Sequence, residues 1–461
     1  MILIIIILTG VLHLLILSQL TFTAWPEMLS YSYLLSNGFL PYKDFIMPYP
    51  PGLVLILSAI FNSFGFSPFV LKVFTWILIL IVDLMVFLIL RRISGRNIIA
   101  IIFLSFYIFL QSFLDGNMLW FDFASVLPLL LGFYFCLKWL GKQNLIYLFL
   151  ISLFLSIAVI VKQVNIIYFL VFGLLYFLQR RKIILKEIIY PILGCLIILI
   201  PLIFYIFSIN AMLQFWNWVI IYPITQWSKF PGYVNFNISK RQAILSLILF
   251  TPLFFSVIYW KKFLNDKIFL IILMFLITSL ITVYPRFSFF HMQPAIAFLI
   301  IILARGFGEV PEKLKIIYLT TLLITTLSVV AFSFKSALGD KIRFYEKQDL
   351  QLSEEIIQKT PNNQTTYILG INSSEYVYAG KIPPKNWSDN FGWYLEIPGI
   401  QNWVIEGFKN ESPEIVFWRI PSKGQWYELG VYQPKEIVSY IRLNYHKTGN
   451  IESDIEIWER N

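Results

Sequence analysis

MILIIIILTGVLHLLILSQL (residues 1–20) is followed almost at once by TAWPEMLSYSYLLSNGFLPYKDFIMPYPPG (residues 23–52). The first stretch is long enough to cross a hydrocarbon core of about 30 Å, which takes roughly 20 apolar residues. The second contains two carboxylates, four tyrosines and five prolines, unlike a membrane span. The change predicts an uncleaved first membrane helix and then a structured loop on the membrane surface. In that loop, Pro26 and Asn37–Gly38 predict the start and the end of a short helix.

Apolar runs of the first kind recur as far as about residue 334. Of the 461 residues, 58% are hydrophobic and 13% are charged, whereas about 25% of a soluble domain is charged. We therefore expect an α-helical polytopic membrane protein with about eleven transmembrane helices. Their predicted ranges are 2–22, 68–90, 98–114, 122–140, 145–161, 165–179, 188–208, 243–260, 268–284, 292–305 and 316–334.

The distribution of Lys and Arg predicts the orientation of these helices. With the N-terminus in the cytoplasm, the inner loops hold fifteen Lys/Arg residues and the outer loops up to residue 334 hold seven, as the positive-inside rule requires. An odd number of spans then places residues 335–461 outside. Helices and strands alternate in this tail, with strands predicted at TTYILG, EIVFWRI and IESDIEIWER. We therefore expect a transmembrane domain (1–334) and a small extracytoplasmic α/β domain (335–461).

The formal net charge of +10 does not indicate a nucleic-acid partner. Residues 335–461 hold 14 Lys/Arg and 17 Asp/Glu, which leaves 22 and 9 for residues 1–334. The basic excess therefore lies between membrane helices, where topology explains it. Cys136 and Cys195 form no CxxC motif, so we expect neither a disulfide framework nor a zinc site.

Four acids remain on the predicted outer face: Glu27, Asp44, Asp115 and Asp122. Glu27 is either a first-turn acid favoured by the helix dipole or a general base for an acceptor hydroxyl. Asp44 is either an ion-pair or turn acid, or it orients the acceptor or binds a metal. Asp122 is either an N-cap or a second active-site acid, and could also hold a metal.

Basic groups on the same face suit a lipid-linked phosphate. Lys162 lies in VKQVN, and Arg286 and His291 lie in YPRFSFFHMQP. Each can pair with a phosphate, or the long side chains can reach the interface from apolar surroundings. The Trp- and Tyr-rich loop 209–241 is either an aromatic belt or a surface on which sugars stack.

NGFLPYKDF followed by YPPG, the basic hairpin RRISGR, KQVN and RFSFFHMQP together resemble the bacterial GT-C superfamily of glycosyltransferases. This superfamily includes relatives of the protein O-mannosyltransferases and of the aminoarabinose transferase for lipid A. The resemblance covers about residues 1–334. It implies a polyprenyl-phosphate sugar donor, an acidic residue in the first outer loop, here Glu27, and basic residues near the donor phosphate, here Lys162, Arg286 and His291.

We therefore expect a membrane enzyme of the cell envelope that transfers a sugar, with inversion, from a polyprenyl-phosphate donor to a hydroxyl of a lipid, glycan or protein. A divalent cation (Mg²⁺ or Mn²⁺) at Asp44 or Asp122 is an optional cofactor. The main alternative is a transporter or flippase of lipid-linked glycans that depends on the intramembrane Asp83. A non-enzymatic scaffold would leave the structured first loop unexplained.

Overall fold

The computed structural model describes residues 2–180, 184–234, 238–255, 263, 265–360, 365–421, 432–451 and 454–461. The chain forms two compact units. The helical unit comprises Met1–Phe22, Lys72–Ile203 and Asn235–Lys341, and the mixed unit comprises Thr23–Leu71, Phe204–Val234 and Ile342–Asn461.

A helix is present at each of the eleven predicted positions. These helices are Ile2–Ser18, Pro68–Ser94, Asn97–Gln111, Phe121–Lys142, Leu145–Val161, Ile167–Arg180, Leu185–Ser208, Lys240–Phe250, Lys267–Ile281, Gln293–Glu309 and Glu312–Ala337. Within the described residues, six are long and apolar enough to cross a membrane, if short helical turns continuous with them are included. The chain is thus a multi-pass membrane protein. Residues 256–260 of one predicted span, and Arg181, Lys182, Lys261 and Lys262 of the predicted inner loops, lie outside the described residues.

Gln293–Glu309 forms the core of the helical unit. Its buried side chains face all directions, as expected of a helix that is hydrophobic all round. It packs against Lys267–Ile281, Asn97–Gln111 and Phe121–Lys142. The first helix of this unit ends at Ser18, earlier than predicted, and the N–H groups of Thr21 and Phe22 donate to the carbonyls of Ala337 and Lys341 instead of continuing the helix.

The mixed unit contains the predicted α/β tail. Its four-stranded sheet consists of Thr366–Leu369, Ile415–Arg419, Ile455–Arg460 and Tyr445–Ile451, in that spatial order. The first two strands are parallel and the other neighbouring pairs are antiparallel. The first three strands lie where the sequence predicts them, whereas Tyr445–Ile451 was not predicted. The helices of the tail are Lys347–Lys359, Ser374–Ala379, Gly392–Leu395, Ile400–Glu411 and Lys435–Asn444.

The mixed unit also includes Thr23–Leu71, which contains the loop predicted to be the first outer one, whereas the predicted division lies at residue 334. Helix Pro26–Ser36 begins with the predicted proline and ends before Asn37, and Gly52–Phe64 follows. The Ile46 N–H donates to the Trp387 carbonyl (2.9 Å), and the Trp387 N–H donates to the Asp44 carbonyl (2.8 Å). These bonds between distant parts of the chain explain why the loop folds with the tail.

The aromatic loop of the mixed unit packs inward. It contains Met212–Trp216 and Tyr222–Thr225. The rings of Trp218 and Trp227 lie 6.1 and 5.4 Å from the ring of Tyr394, and Tyr233 lies 5.9 Å from Trp393. These rings therefore form part of a packed aromatic cluster.

Gly194 marks a close approach between two apolar helices of the helical unit. A Cβ at Gly194 would lie 2.3 Å from Ser152 Oγ and 2.4 Å from the Phe149 carbonyl oxygen. We expect Gly194→Ala to destabilise the protein by about 1–3 kcal/mol, the usual cost of overpacking, as measured by thermal unfolding in detergent. Gly173→Ala is the matched control, because a Cβ there meets no atom within 4 Å. Equal unfolding of the two variants would contradict this packing.

Candidate active site

The helical unit brings three predicted site residues into direct contact. Lys162 Nζ lies 2.7 Å from Asp122 Oδ1, and His291 Nδ1 lies 2.7 Å from Asp122 Oδ2. Asp122 is 2% exposed and Lys162 is 8% exposed. Asp122, Lys162 and His291, which we call the Asp122 cluster, form a buried network in which each carboxylate oxygen faces a basic group.

Three separate elements position the Asp122 cluster. Asp122 is the second residue of Phe121–Lys142, whose N-cap is Trp120, so the N-cap alternative is wrong. Lys162 follows the last residue of Leu145–Val161 in extended conformation. Asn165 anchors the turn after it, because its side-chain amide donates to Ser125 Oγ (2.8 Å) and to the Ala158 carbonyl (2.9 Å).

His291 lies in the segment before Gln293–Glu309. A carboxylate accepts hydrogen bonds, so the ring nitrogen facing Asp122 carries a proton. Burial lowers the pKa of His291 below its ordinary value, and the Asp122 carboxylate opposes this change. The charges of Lys162 and Arg286 act in the same direction as burial, which places the Arg286 guanidinium within electrostatic range of the cluster.

Glu27 belongs to the mixed unit, where it occupies the first turn of Pro26–Ser36. Its Oε2 atom is buried and has no hydrogen-bond partner among the described residues. Burial raises the pKa of Glu27 to about 8, and the negative charge of Asp389 adds to this effect. Glu27 thus lies in the first turn, as the helix-dipole alternative requires, in a buried environment that opposes its ionisation.

Asp44 is the second predicted acid in the mixed unit. Its Oδ2 atom accepts a hydrogen bond from the Leu40 N–H (2.9 Å) and lies 3.5 Å from Lys385 Nζ. Both the turn and the ion-pair alternatives are therefore present in the structure. The cation is Lys385 from the tail, which the local sequence could not indicate.

The described residues contain no group of three or more His, Cys, Asp or Glu side chains that could hold a metal ion. The two carboxylates considered as metal ligands already face basic groups: Asp44 faces Lys385, and Asp122 faces Lys162 and His291. A cation would have to displace those groups. The donor set therefore does not fit a metal, and we derive no step through one.

Two features were missed by sequence analysis. Asp389 lies in NWSDN, a polar stretch with no motif, and only its contacts in the fold reveal it. His13, within the first apolar run, is buried: its Nδ1 lies 2.6 Å from Asp83 Oδ2, and its Nε2 lies 3.0 Å from both Gln111 Oε1 and Ser112 Oγ. This buried network joins three helices.

No family model and no curated protein sequence matches the chain. Solved structures do match it along its whole length. ArnT from Cupriavidus metallidurans bound to undecaprenyl phosphate aligns with a TM-score of 0.66 at 10% identity, covering 99% of this chain and 97% of that one. The Archaeoglobus fulgidus oligosaccharyltransferase tethered with an acceptor peptide aligns with a TM-score of 0.59 at 12% identity, covering 100% and 74%. Both are GT-C glycosyltransferases.

The chain has a GT-C-like fold. A second Archaeoglobus fulgidus structure, of the oligosaccharyltransferase AglB in complex with an inhibitory peptide and a dolichol-phosphate, also matches, with a TM-score of 0.57 at 11% identity over 100% of this chain and 74% of that one. The GT-C-like fold agrees with the resemblance found in the sequence. At such low identity it establishes the fold, and the chemistry must be argued from the residues of this chain.

Proposed function

We propose that this protein transfers a sugar from a polyprenyl-phosphate donor to an acceptor hydroxyl at the outer face of the membrane. The observation that carries the proposal is the whole-length likeness to a GT-C enzyme bound to undecaprenyl phosphate. The buried acid in the first outer loop and the basic cluster in the helical unit supply groups suited to the two halves of this reaction.

Glu27 is the proposed general base. Its ionised carboxylate takes the proton of the acceptor hydroxyl while the hydroxyl oxygen attacks the anomeric carbon of the donor. A new glycosidic C–O bond forms, and the bond from the anomeric carbon to the phosphate oxygen breaks. The polyprenyl phosphate leaves with the bonding electrons, and this single displacement inverts the anomeric centre.

The donor phosphate is proposed to bind Lys162 and Arg286, with His291 as a third group. Asp122 positions Lys162 and His291, because both of its oxygens are already in contact with them. His291 uses one ring nitrogen toward Asp122, so it can donate to a phosphate only from the other nitrogen and only when doubly protonated. Lys162 and Arg286 therefore carry most of the attraction for the leaving phosphate.

A transfer assay tests the proposal directly. The purified protein is incubated with a set of polyprenyl-phosphate sugars and candidate acceptors, and the products are analysed by mass spectrometry, with the anomeric configuration read by NMR. Polyprenyl phosphate released together with a glycosylated acceptor is the expected result. A transporter would instead move a lipid-linked glycan across the membrane of vesicles. That movement would persist in Glu27→Gln and be lost in Asp83→Asn.

The orientation predicts which loops an impermeant thiol reagent reaches. In a background with Cys136→Ala and Cys195→Ala, we expect Asn37→Cys to be labelled from outside intact cells, because Asn37 is exposed and lies in the predicted outer loop. Lys142→Cys is the matched control. It is equally exposed but lies in a predicted inner loop, so it should be labelled only after lysis. Labelling of the two sites in the reverse pattern would overturn the outer-face chemistry.

A further inference from the structure

Asp389 is held against the face of the helix that carries Glu27. Tyr31 lies four residues after Glu27 in Pro26–Ser36, and side chains with this spacing are neighbours on one helix face. The ring of Tyr31 lies 6.5 Å from the ring of Trp387, two residues before Asp389. Ser30 Oγ, on the same helix, lies 3.0 Å from Ser373 Oγ, and Tyr31 and Ser373 both lower the pKa of Asp389. The segment that carries Asp389 is thus packed against the helix that carries Glu27.

Both carboxyl groups have an oxygen that the described protein leaves unused. Glu27 Oε2 and Asp389 Oδ2 are buried and have no hydrogen-bond partner among the described residues. Asp389 as a whole is 6% exposed. A buried carboxylate oxygen without a hydrogen-bond partner destabilises the folded protein. Groups of this kind are found preferentially at functional sites.

The groups that face this pair are tyrosines. Glu27 and Asp389 both raise the pKa of Tyr31 and of Tyr394, and Asp389 also raises that of Tyr367 and of Tyr376. In the described part of the chain, no Lys, Arg or His is among the groups that act on either carboxyl. Two like charges in a buried site without a counter-ion cannot both form easily, so one proton is retained.

We propose that Glu27 and Asp389 form a carboxyl pair that holds one proton, and that Asp389 is the positioning residue that sets the pH at which Glu27 becomes the base. The inference rests on the proposed sugar transfer. In the resting pair Asp389 is ionised and Glu27 is protonated. Loss of that proton to solvent gives the active base, and the proton taken from the acceptor hydroxyl restores the one-proton state.

The pKa values of Glu27 and Asp389 predict how sugar transfer depends on pH. Burial raises the pKa of Asp389 to about 6, and hydrogen bonds from Tyr31 and Ser373 oppose the rise. The pKa of Glu27 is higher, about 8. Because Glu27 must be ionised to act, transfer should increase as the pH rises through about 8. Removing the charge of Asp389 lowers the pKa of Glu27, although the larger contribution of burial remains.

The test compares pH profiles of kcat/KM for transfer. We expect Asp389→Asn to move the rising limb of the profile to lower pH by about one unit, as loss of a neighbouring like charge requires, and Asp389→Glu to restore it. Glu406→Gln is the matched control, because it removes the same charge from an exposed site of the mixed unit. A limb unchanged by Asp389→Asn would overturn the proposal, even if activity fell.

Infrared titration separates this inference from the proposed function. The carboxylic acid band that Glu27→Gln removes should persist to about pH 8 in the wild-type protein and vanish at lower pH in Asp389→Asn. If Asp389→Asn shifts the band but the wild-type protein transfers no sugar, the carboxyl pair is supported and the proposed glycosyltransferase function is rejected. If the protein transfers sugar but Asp389→Asn leaves the band unchanged, only the carboxyl pair is rejected.

Discussion

Replacing Glu27 by glutamine is expected to lower sugar transfer by about 10²–10⁴-fold, the usual contribution of a general base. Glutamine keeps the size and hydrogen-bonding shape of the side chain but cannot accept a proton. The measurement is kcat/KM for transfer from a polyprenyl-phosphate sugar by purified protein. Glu27→Asp should retain an intermediate rate, because the carboxylate remains but is withdrawn by one methylene.

The pH dependence of thermal stability shows independently whether Glu27→Gln is correctly folded and has lost the buried acid. The pKa of Glu27 in the folded protein, about 8, lies above its ordinary value of 4.5. Ionisation therefore favours the unfolded state, and stability declines as the pH rises between those two values. Glu27→Gln lacks this contribution, so its melting temperature should fall less over that range. Full transfer activity in a correctly folded Glu27→Gln protein would remove Glu27 from the mechanism.

The second large effect is expected at the Asp122 cluster. Asp122→Ala removes the carboxylate that faces Lys162 and leaves a buried ammonium unpaired. Removing one partner of a buried ion pair costs about 3–5 kcal/mol, and thermal unfolding in detergent measures the loss. The matched control is Glu312→Gln, whose ion pair with Lys315 is formed by a side chain 84% exposed. That pair should contribute less than about 1 kcal/mol.

A double variant shows whether the loss comes from the unpaired charge. Lys162→Met in combination with Asp122→Ala removes both charges and fills the space with an apolar chain of similar length. We expect it to recover most of the stability lost in Asp122→Ala, but to bind the donor lipid weakly because the proposed phosphate contact is gone. If the double variant is as unstable as Asp122→Ala alone, the ion pair is not what holds these helices together.

Local patterns were sufficient for the helices and for part of the site. Pro26 and Asn37–Gly38 correctly bounded the first-loop helix, because a proline fits the first turn and Gly38 adopts a positive φ of 82°. The apolar runs located all eleven helical positions. Asp122, Lys162 and His291 were selected as outer-face charges, yet nothing in the sequence indicated that they form one network.

The missed features share one physical cause. Asp389 is 362 residues from Glu27, Lys385 is 341 residues from Asp44, and Asp83 is 70 residues from His13. Each pairing depends on side chains brought together by packing, and no periodicity or cap marks either partner. Strand Tyr445–Ile451 was missed for a similar reason: YHKTGNI has little apolar alternation, and pairing with Ile455–Arg460 makes it a strand.

The sequence by itself determined that this is a membrane protein, where its helices lie, and which charges remain outside the apolar runs, because hydrophobic transfer acts on each segment separately. Only the tertiary structure decided that the first loop folds with the tail and that Glu27 is a buried acid beside Asp389. A carboxylate's chemistry depends on the solvent and charges around it, and those are supplied by distant parts of the chain.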